Sequence, residues 1–227
     1  ASRAVRFERA YSQAPVCNPS RASVITGLRP ETIEVYGNWV DWRKRVPADH
    51  PTLPELFSAH GYETVKIGKI NHHVGAFKDR PDPEASQRMA TMWDRELAEP
   101  EVPDYPLEPV RSQGSFPREL APDQQTYEYM KQSLRWGPTG LGADEMADGQ
   151  RVKSAGEFLQ RDHAKPFLLA VGIHAPHFPF RAPREYHDLY TGEEIVYPRY
   201  PEDDLEDLPV QYPLFNTADE YTLSLVE

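Results

Sequence analysis

Residues 52–69 read TLPELFSAHGYETVKIGK, and this stretch decides the fold class. Thr52 is a residue type that caps a helix, and Leu53, Leu56 and Phe57 then give a short amphipathic face that Gly61 ends. Tyr62 to Ile67 alternates as a strand does, before Gly68 and Lys69. A helix followed at once by a strand is half of an α/β unit.

The same order recurs downstream. Ala143 to Gln160 carries Met146, Val152, Ala155, Phe158 and Leu159 at helical spacing, and Phe167 to Ile173 is a nearly unbroken apolar run. Such a run predicts a central strand buried on both faces. Helix then strand, twice, with short connections, predicts an α/β fold: a mostly parallel sheet flanked by helices. Ligands of such sheets collect at the carboxyl ends of the strands. Lys69 and His72 follow one predicted strand and His174 follows the other, so the fold alone draws them towards one edge. Upstream, Pro19 suits a first helical turn, Ala22, Val24 and Ile25 form a short apolar face, and Gly27 stops the helix. Cys17 is expected just before that helix.

Composition narrows the partners. With 25 Lys and Arg against 36 Asp and Glu, the formal charge of −11 makes binding to nucleic acid or anionic lipid repulsive, so any anion must be captured by a local basic pocket. No apolar stretch approaches the roughly 18 residues needed to span a bilayer. The 23 prolines and the mean hydropathy of −0.69 indicate long irregular surface segments. The acidic, proline-rich run at about 80–140 reads as an irregular insertion within a single domain spanning 1–227, since it lacks the apolar residues for its own core. The same holds for Tyr197 to Pro213. One cysteine cannot form an internal disulfide, which leaves Cys17 as a buried filler, a free thiol or a reactive residue.

The neighbours of Cys17 choose among these. Cys17, Asn18, Pro19, Ser20 and Arg21, followed by Thr26 and Gly27, resemble the nucleophile signature of the type I sulfatases. With Asn18 at a position open to any residue, the other six residue types at set spacing arise by chance in a chain this long with a probability on the order of 10⁻⁵ or lower. The resemblance implies an alkaline-phosphatase/sulfatase-like fold and oxidation of Cys17 to formylglycine by a formylglycine-generating enzyme. One hydroxyl of the hydrated aldehyde attacks sulfur, and the other later expels sulfate as the carbonyl re-forms. A helix amino end suits this chemistry, because its unpaired N–H groups and positive dipole end favour anions. Arg21, in the first turn, is implied to hold the modified residue and screen charge.

Gly61, Tyr62, Thr64, Gly68, Lys69 and His72 resemble the family's second signature, with Asn71 where the family usually carries an aromatic residue. The resemblance implies that Lys69 binds sulfate as a point charge and that His72 exchanges a proton with the formylglycine hydroxyls. His73 reads as an exposed loop residue or a metal ligand. The run from Ala170 to Phe180 and the segment Thr32 to Tyr36 resemble the iduronate-2-sulfatase branch. His174 matches the family's sulfate-binding histidine. His177 either contacts substrate or, bracketed by Pro176 and Pro179, fixes a turn.

The family also binds Ca²⁺, sometimes Mg²⁺, through oxygen ligands. Here only Cys17, as formylglycine, corresponds to a metal contact, and the other ligands are expected outside the chain. The sequence opens on Ala1 to Tyr11 as if within a folded domain and ends at Glu227 inside what reads as an unfinished helix. The expectation is a fragment, inactive alone, of an enzyme that removes sulfate from a sulfated sugar or glycosaminoglycan; the compartment is unknown from the sequence, with a periplasmic, secreted or lysosomal-type one compatible. Three alternatives stay open: a phosphodiester or phosphonate hydrolase of the same superfamily, an inactive fragment that binds sulfated glycans, and a zinc site built from His72, His73, His174 and His177.

Overall fold

A computed structural model describes residues 4–38, 40–72, 88, 91–100, 111–112, 124, 135–177 and 179–190. Most of the expected insertion at about 80–140, His73, and the run from Tyr197 to Pro213 lie outside the described residues. Contacts divide the chain into two units, one of residues 1–100 and 151–173, the other of 101–150 and 174–227.

In the first unit, helix α1 spans Cys17–Thr26. Ser20 N–H reaches the Val16 carbonyl at 3.1 Å, which closes the first turn one residue before Cys17. Cys17 is therefore the first helical residue rather than the residue preceding the helix. The helix stops as expected at Gly27, whose φ of 70° is left-handed and whose N–H returns to the Ser23 carbonyl at 2.8 Å. A short turn of helix, α2, covers Pro30–Ile33.

Helix α3, Leu53–Ala59, is capped by Thr52. The Thr52 N–H and hydroxyl both donate to the Glu55 carboxylate, at 2.7 and 2.8 Å. Burial pushes the Glu55 carboxyl up, but these two bonds and the Arg88 guanidinium outweigh it and hold the group below its ordinary range. The strand β1 follows at Glu63–Gly68 and is the middle of a parallel sheet, between β2, Arg95–Glu96, and a later strand, Phe167–Gly172. Val65 and Ile67 of β1 are fully buried.

Each face of that sheet carries a core. Ala22 and Ile25 of α1 pack with Ile33, Val35, Trp42, Val46, Met92 and Trp93 into one cluster, against which Leu168 and Ala170 rest. Phe167 and Leu169 instead join Val65, Ile67, Leu97, Ala155 and Phe158. The run Phe167–Gly172 thus alternates between two apolar environments, as its composition predicts. Its position differs from the prediction: among the described residues it is the outer strand of the three, with Val171 39% exposed, and β1 is the central one.

In the second unit, β3, Arg111–Ser112, runs antiparallel to β4, Arg135–Thr139, which pairs in parallel with a strand at Phe180–Pro183. In chain order the Phe167–Gly172 strand is β5 and the Phe180–Pro183 strand is β6, followed by a short helix at Arg184–His187.

The long helix α4 spans Ala147–Leu159, starting four residues later than its apolar spacing suggests. Gly142 to Met146 is a turn instead: the Gly142 N–H donates to the Glu145 carboxylate at 2.8 Å, and the Glu145 and Met146 N–H groups return to the Gly142 carbonyl. That local bonding competes with helical bonds at these positions. No helix among the described residues is long and apolar enough to cross a membrane.

Candidate active site

The carboxyl end of β1 is built around two glycines. Gly68 and Gly172 are partners in the β1–β5 ladder, and Lys69 N–H continues the pairing to the Gly172 carbonyl at 3.3 Å. A Cβ placed on Gly68 would stand 2.1 Å from that same carbonyl oxygen, and one on Gly172 would stand 2.4 Å from the Lys69 carbonyl carbon. Gly68 also holds a φ of 77°. Only glycine permits both the conformation and the approach. On its other side the Gly68 N–H donates to the Glu99 carboxylate at 2.6 Å, and Glu99 accepts Arg151 Nε at 2.9 Å. Lys69 therefore leaves the sheet from a strand end fixed on both sides.

Arg21 joins α1 to this strand end. Its guanidinium donates to the carbonyl oxygen of Lys69 and, at 3.0 Å, to that of Ile70. Cys17 stands four residues before Arg21, one turn back along α1, and so shares its face of the helix. Cys17 is a free, half-buried cysteine. Asn18, between them, is buried and ties the helix start to the following loop, donating from Nδ2 to the Gly37 and Val40 carbonyls while its N–H meets Asn38 Oδ1 at 3.0 Å. Past Lys69, Asn71 is buried and His72 is half-buried. The described contacts thus bring the Cys17 helix and the Lys69 strand end together within one unit.

His174 and His177 belong to the other unit and form a group of their own. The His177 N–H donates to the His174 carbonyl at 3.0 Å, and the two rings lie 4.8 Å apart, centroid to centroid. Of the two readings for His177, the turn is the one present in the backbone bonding. The His174 and Ala175 N–H groups are both held by Asp148. Neither Asp148 nor Asn18 is legible as a site residue in the sequence.

The first unit has a cleft of about 430 Å³ lined by Ser58, Tyr62, Glu63, Asp94, Ala164 and Lys165. It opens where β1 begins, at the end remote from Lys69. Asp94 there accepts the Thr64 N–H at 2.8 Å, the Thr64 hydroxyl at 3.0 Å and the Ser58 hydroxyl at 3.1 Å, and these bonds, the Thr64 N–H foremost, hold its carboxyl below the ordinary range despite partial burial.

The residues around Cys17 and Lys69 match a known family along nearly the whole chain, since the sulfatase family description fits residues 1–206. The chain belongs to the sulfatase family. Among its curated relatives, a sulfatase of Formosa agariphila is 31% identical over 221 residues, covering 92% of this chain and 39% of the relative. Human iduronate 2-sulfatase is 32% identical over 218 residues, covering 89% of this chain and 34% of that enzyme. This sulfatase-family chain therefore spans somewhat more than a third of the relatives it matches. A solved structure, the phosphonate monoester hydrolase SpPMH from Silicibacter pomeroyi, superposes with a TM-score of 0.59 at 21% identity, covering 93% of this chain and 42% of that one. That likeness establishes the alkaline-phosphatase/sulfatase-like fold.

Proposed function

We propose that this chain supplies the nucleophile and part of the sulfate pocket of a sulfuric ester hydrolase acting on a sulfated sugar or glycosaminoglycan, similar in substrate class to iduronate 2-sulfatase. The observation that carries the reading is the Arg21 joint: it holds the helix that begins at Cys17 against the strand end that presents Lys69. Family membership supports sulfate ester hydrolysis as the reaction.

In this reading Cys17 is converted to formylglycine by a formylglycine-generating enzyme, and the hydrated aldehyde supplies an oxygen nucleophile with a built-in exit for sulfate. The residues of the chain divide the remaining work. The Lys69 ammonium neutralises the sulfate, His72 exchanges the proton of the attacking hydroxyl, and His174 binds a sulfate oxygen or protonates the departing sugar oxygen. Arg21 screens the charge that develops at the first turn of α1 while keeping the strand end in place. Family resemblance also points to Ca²⁺ or Mg²⁺. Among the described residues no group of three or more His, Cys, Asp or Glu side chains is placed to hold a metal ion.

The test is to join the chain to its flanking segments, co-express it with a formylglycine-generating enzyme, and assay an aryl sulfate and a sulfated uronic disaccharide. Turnover of either, lost in Cys17→Ala, supports the proposal. Absence of turnover on every sulfate ester overturns it. Faster hydrolysis of phosphonate or phosphate diesters at equal concentration favours the superfamily alternative. A Cys17 peptide that keeps its thiol mass in a competent host favours a glycan-binding role instead.

A further inference from the structure

The turn that carries His174 is organised by one side chain from elsewhere in the sequence. Asp148 is the second residue of α4, and its carboxylate accepts the His174 N–H at 2.9 and 3.0 Å, one distance to each oxygen. It also accepts the Ala175 N–H at 2.8 Å. A single carboxylate can serve two successive amides only when the backbone turns both N–H groups to one side, so the contact selects one conformation of the His174–Ala175 link. On the other side of His174, its carbonyl accepts the His177 N–H, and the His177 ring packs against its own. The backbone that aims the His174 side chain is thus held before and after the α-carbon.

This contact is better suited to aiming than to stabilising. His174, Ala175 and Pro176 are exposed. Water can therefore solvate both N–H groups once the carboxylate is removed, and an exposed bond that water replaces contributes little to the fold. What water cannot restore is the single backbone orientation.

We propose that Asp148 is a positioning residue for the reaction, acting through the backbone of His174 to hold the imidazole where it meets the sulfate group. The proposal rests on the reading of His174 as a sulfate-binding or proton-donating residue. Asparagine is a poor substitute, because its amide keeps one acceptor and turns an N–H group on the second amide. Glutamate is too long to place both oxygens on the same pair of N–H groups without moving the helix start.

The experiment is a double-mutant cycle in the formylglycine-bearing protein with its flanking segments, using aryl sulfate turnover. Asp148→Ala and Asp148→Asn are each expected to lower kcat/KM by about 10- to 100-fold, the range typical of a group that orients a functional ligand. The melting temperature is expected to stay within a few degrees. In a His174→Ala background the further loss on Asp148→Ala is expected to fall below about twofold, because the two residues act as one unit. An undiminished loss in the double variant overturns the positioning role and leaves a structural one. If His174→Ala itself leaves kcat/KM unchanged, the reading of His174 fails and the proposal falls with it, a result distinct from the first. Independently of activity, amide hydrogen exchange at His174 and Ala175 is expected to accelerate at least tenfold in Asp148→Ala; unchanged exchange overturns the contact on which the proposal stands.

Discussion

Gly68 and Gly172 face each other at the ends of β1 and β5 so closely that a Cβ on either would enter the backbone of the opposite strand. Two costs meet at Gly68, a left-handed φ and a collision, whereas Gly27 has the φ alone and open space around its Cα. Gly27→Ala is therefore expected to cost about 1–2 kcal/mol, and Gly68→Ala about 3 kcal/mol or more. Urea unfolding of the two variants measures the difference; equal losses would mean that strand proximity contributes nothing.

Arg21→Ala leaves two partly buried carbonyl oxygens without their guanidinium donor, and a loss of about 1–3 kcal/mol is expected. Both bonds leave one nitrogen, Nη1, which the planar guanidinium fixes in direction and the rotatable lysine ammonium does not, so Arg21→Lys should recover only part of that loss. The check is again an unfolding midpoint, accompanied by the aryl sulfate turnover of the formylglycine-bearing protein with its flanking segments, which should fall in both variants.

Lys69→Ala separates charge from scaffold. The bond to Arg21 uses the Lys69 carbonyl, which alanine retains. Stability is expected to hold while kcat/KM for a sulfate ester falls by about 10²–10³-fold, as when one donor to a developing anion is deleted. A variant that melts early and turns over normally would reverse both assignments.

Acid should weaken the first unit through two carboxylates. Glu55 and Asp94 have folded pKa values below their ordinary 4.5 and 3.8. For a depressed carboxylate the stabilisation is complete above the ordinary value and drains away as pH falls below it towards the folded one. Stability measured by urea midpoint is therefore expected to decline as pH drops below about 4.5. Asp94→Asn should flatten that decline at its lower end. An unchanged slope in the variant would show that Asp94 does not couple to folding.

Local order was legible in the sequence and non-local pairing was not. Thr52 and Gly61 bound a helix through contacts within a few residues, and Gly27 ends another by its own backbone, so both were readable. The apolar run at Phe167–Gly172 identifies a strand with two apolar faces, but which strand lies in the middle depends on partners about a hundred residues away. The early start expected for α4 failed because the Gly142–Glu145 turn bonds to itself. Arg21 was readable as part of a signature, yet its partners are carbonyl oxygens, which no sequence pattern specifies. Asp148 in a first helical turn looks like an ordinary partner of the helix dipole, and its acceptor role spans 26 positions.

The Arg21 joint grips atoms that every amino acid possesses. Ile70 also packs against the first core cluster, but nothing in the joint depends on the side chain at position 69, which can be rewritten without removing the bonds that hold its backbone. Under the role proposed for Lys69, the side chain there can become a shorter cation, a hydrogen-bond donor or a neutral group, each inheriting the same backbone placement. The site is in this sense a socket with exchangeable contacts, and its capacity to acquire new substrates lies in that separation of frame from chemistry.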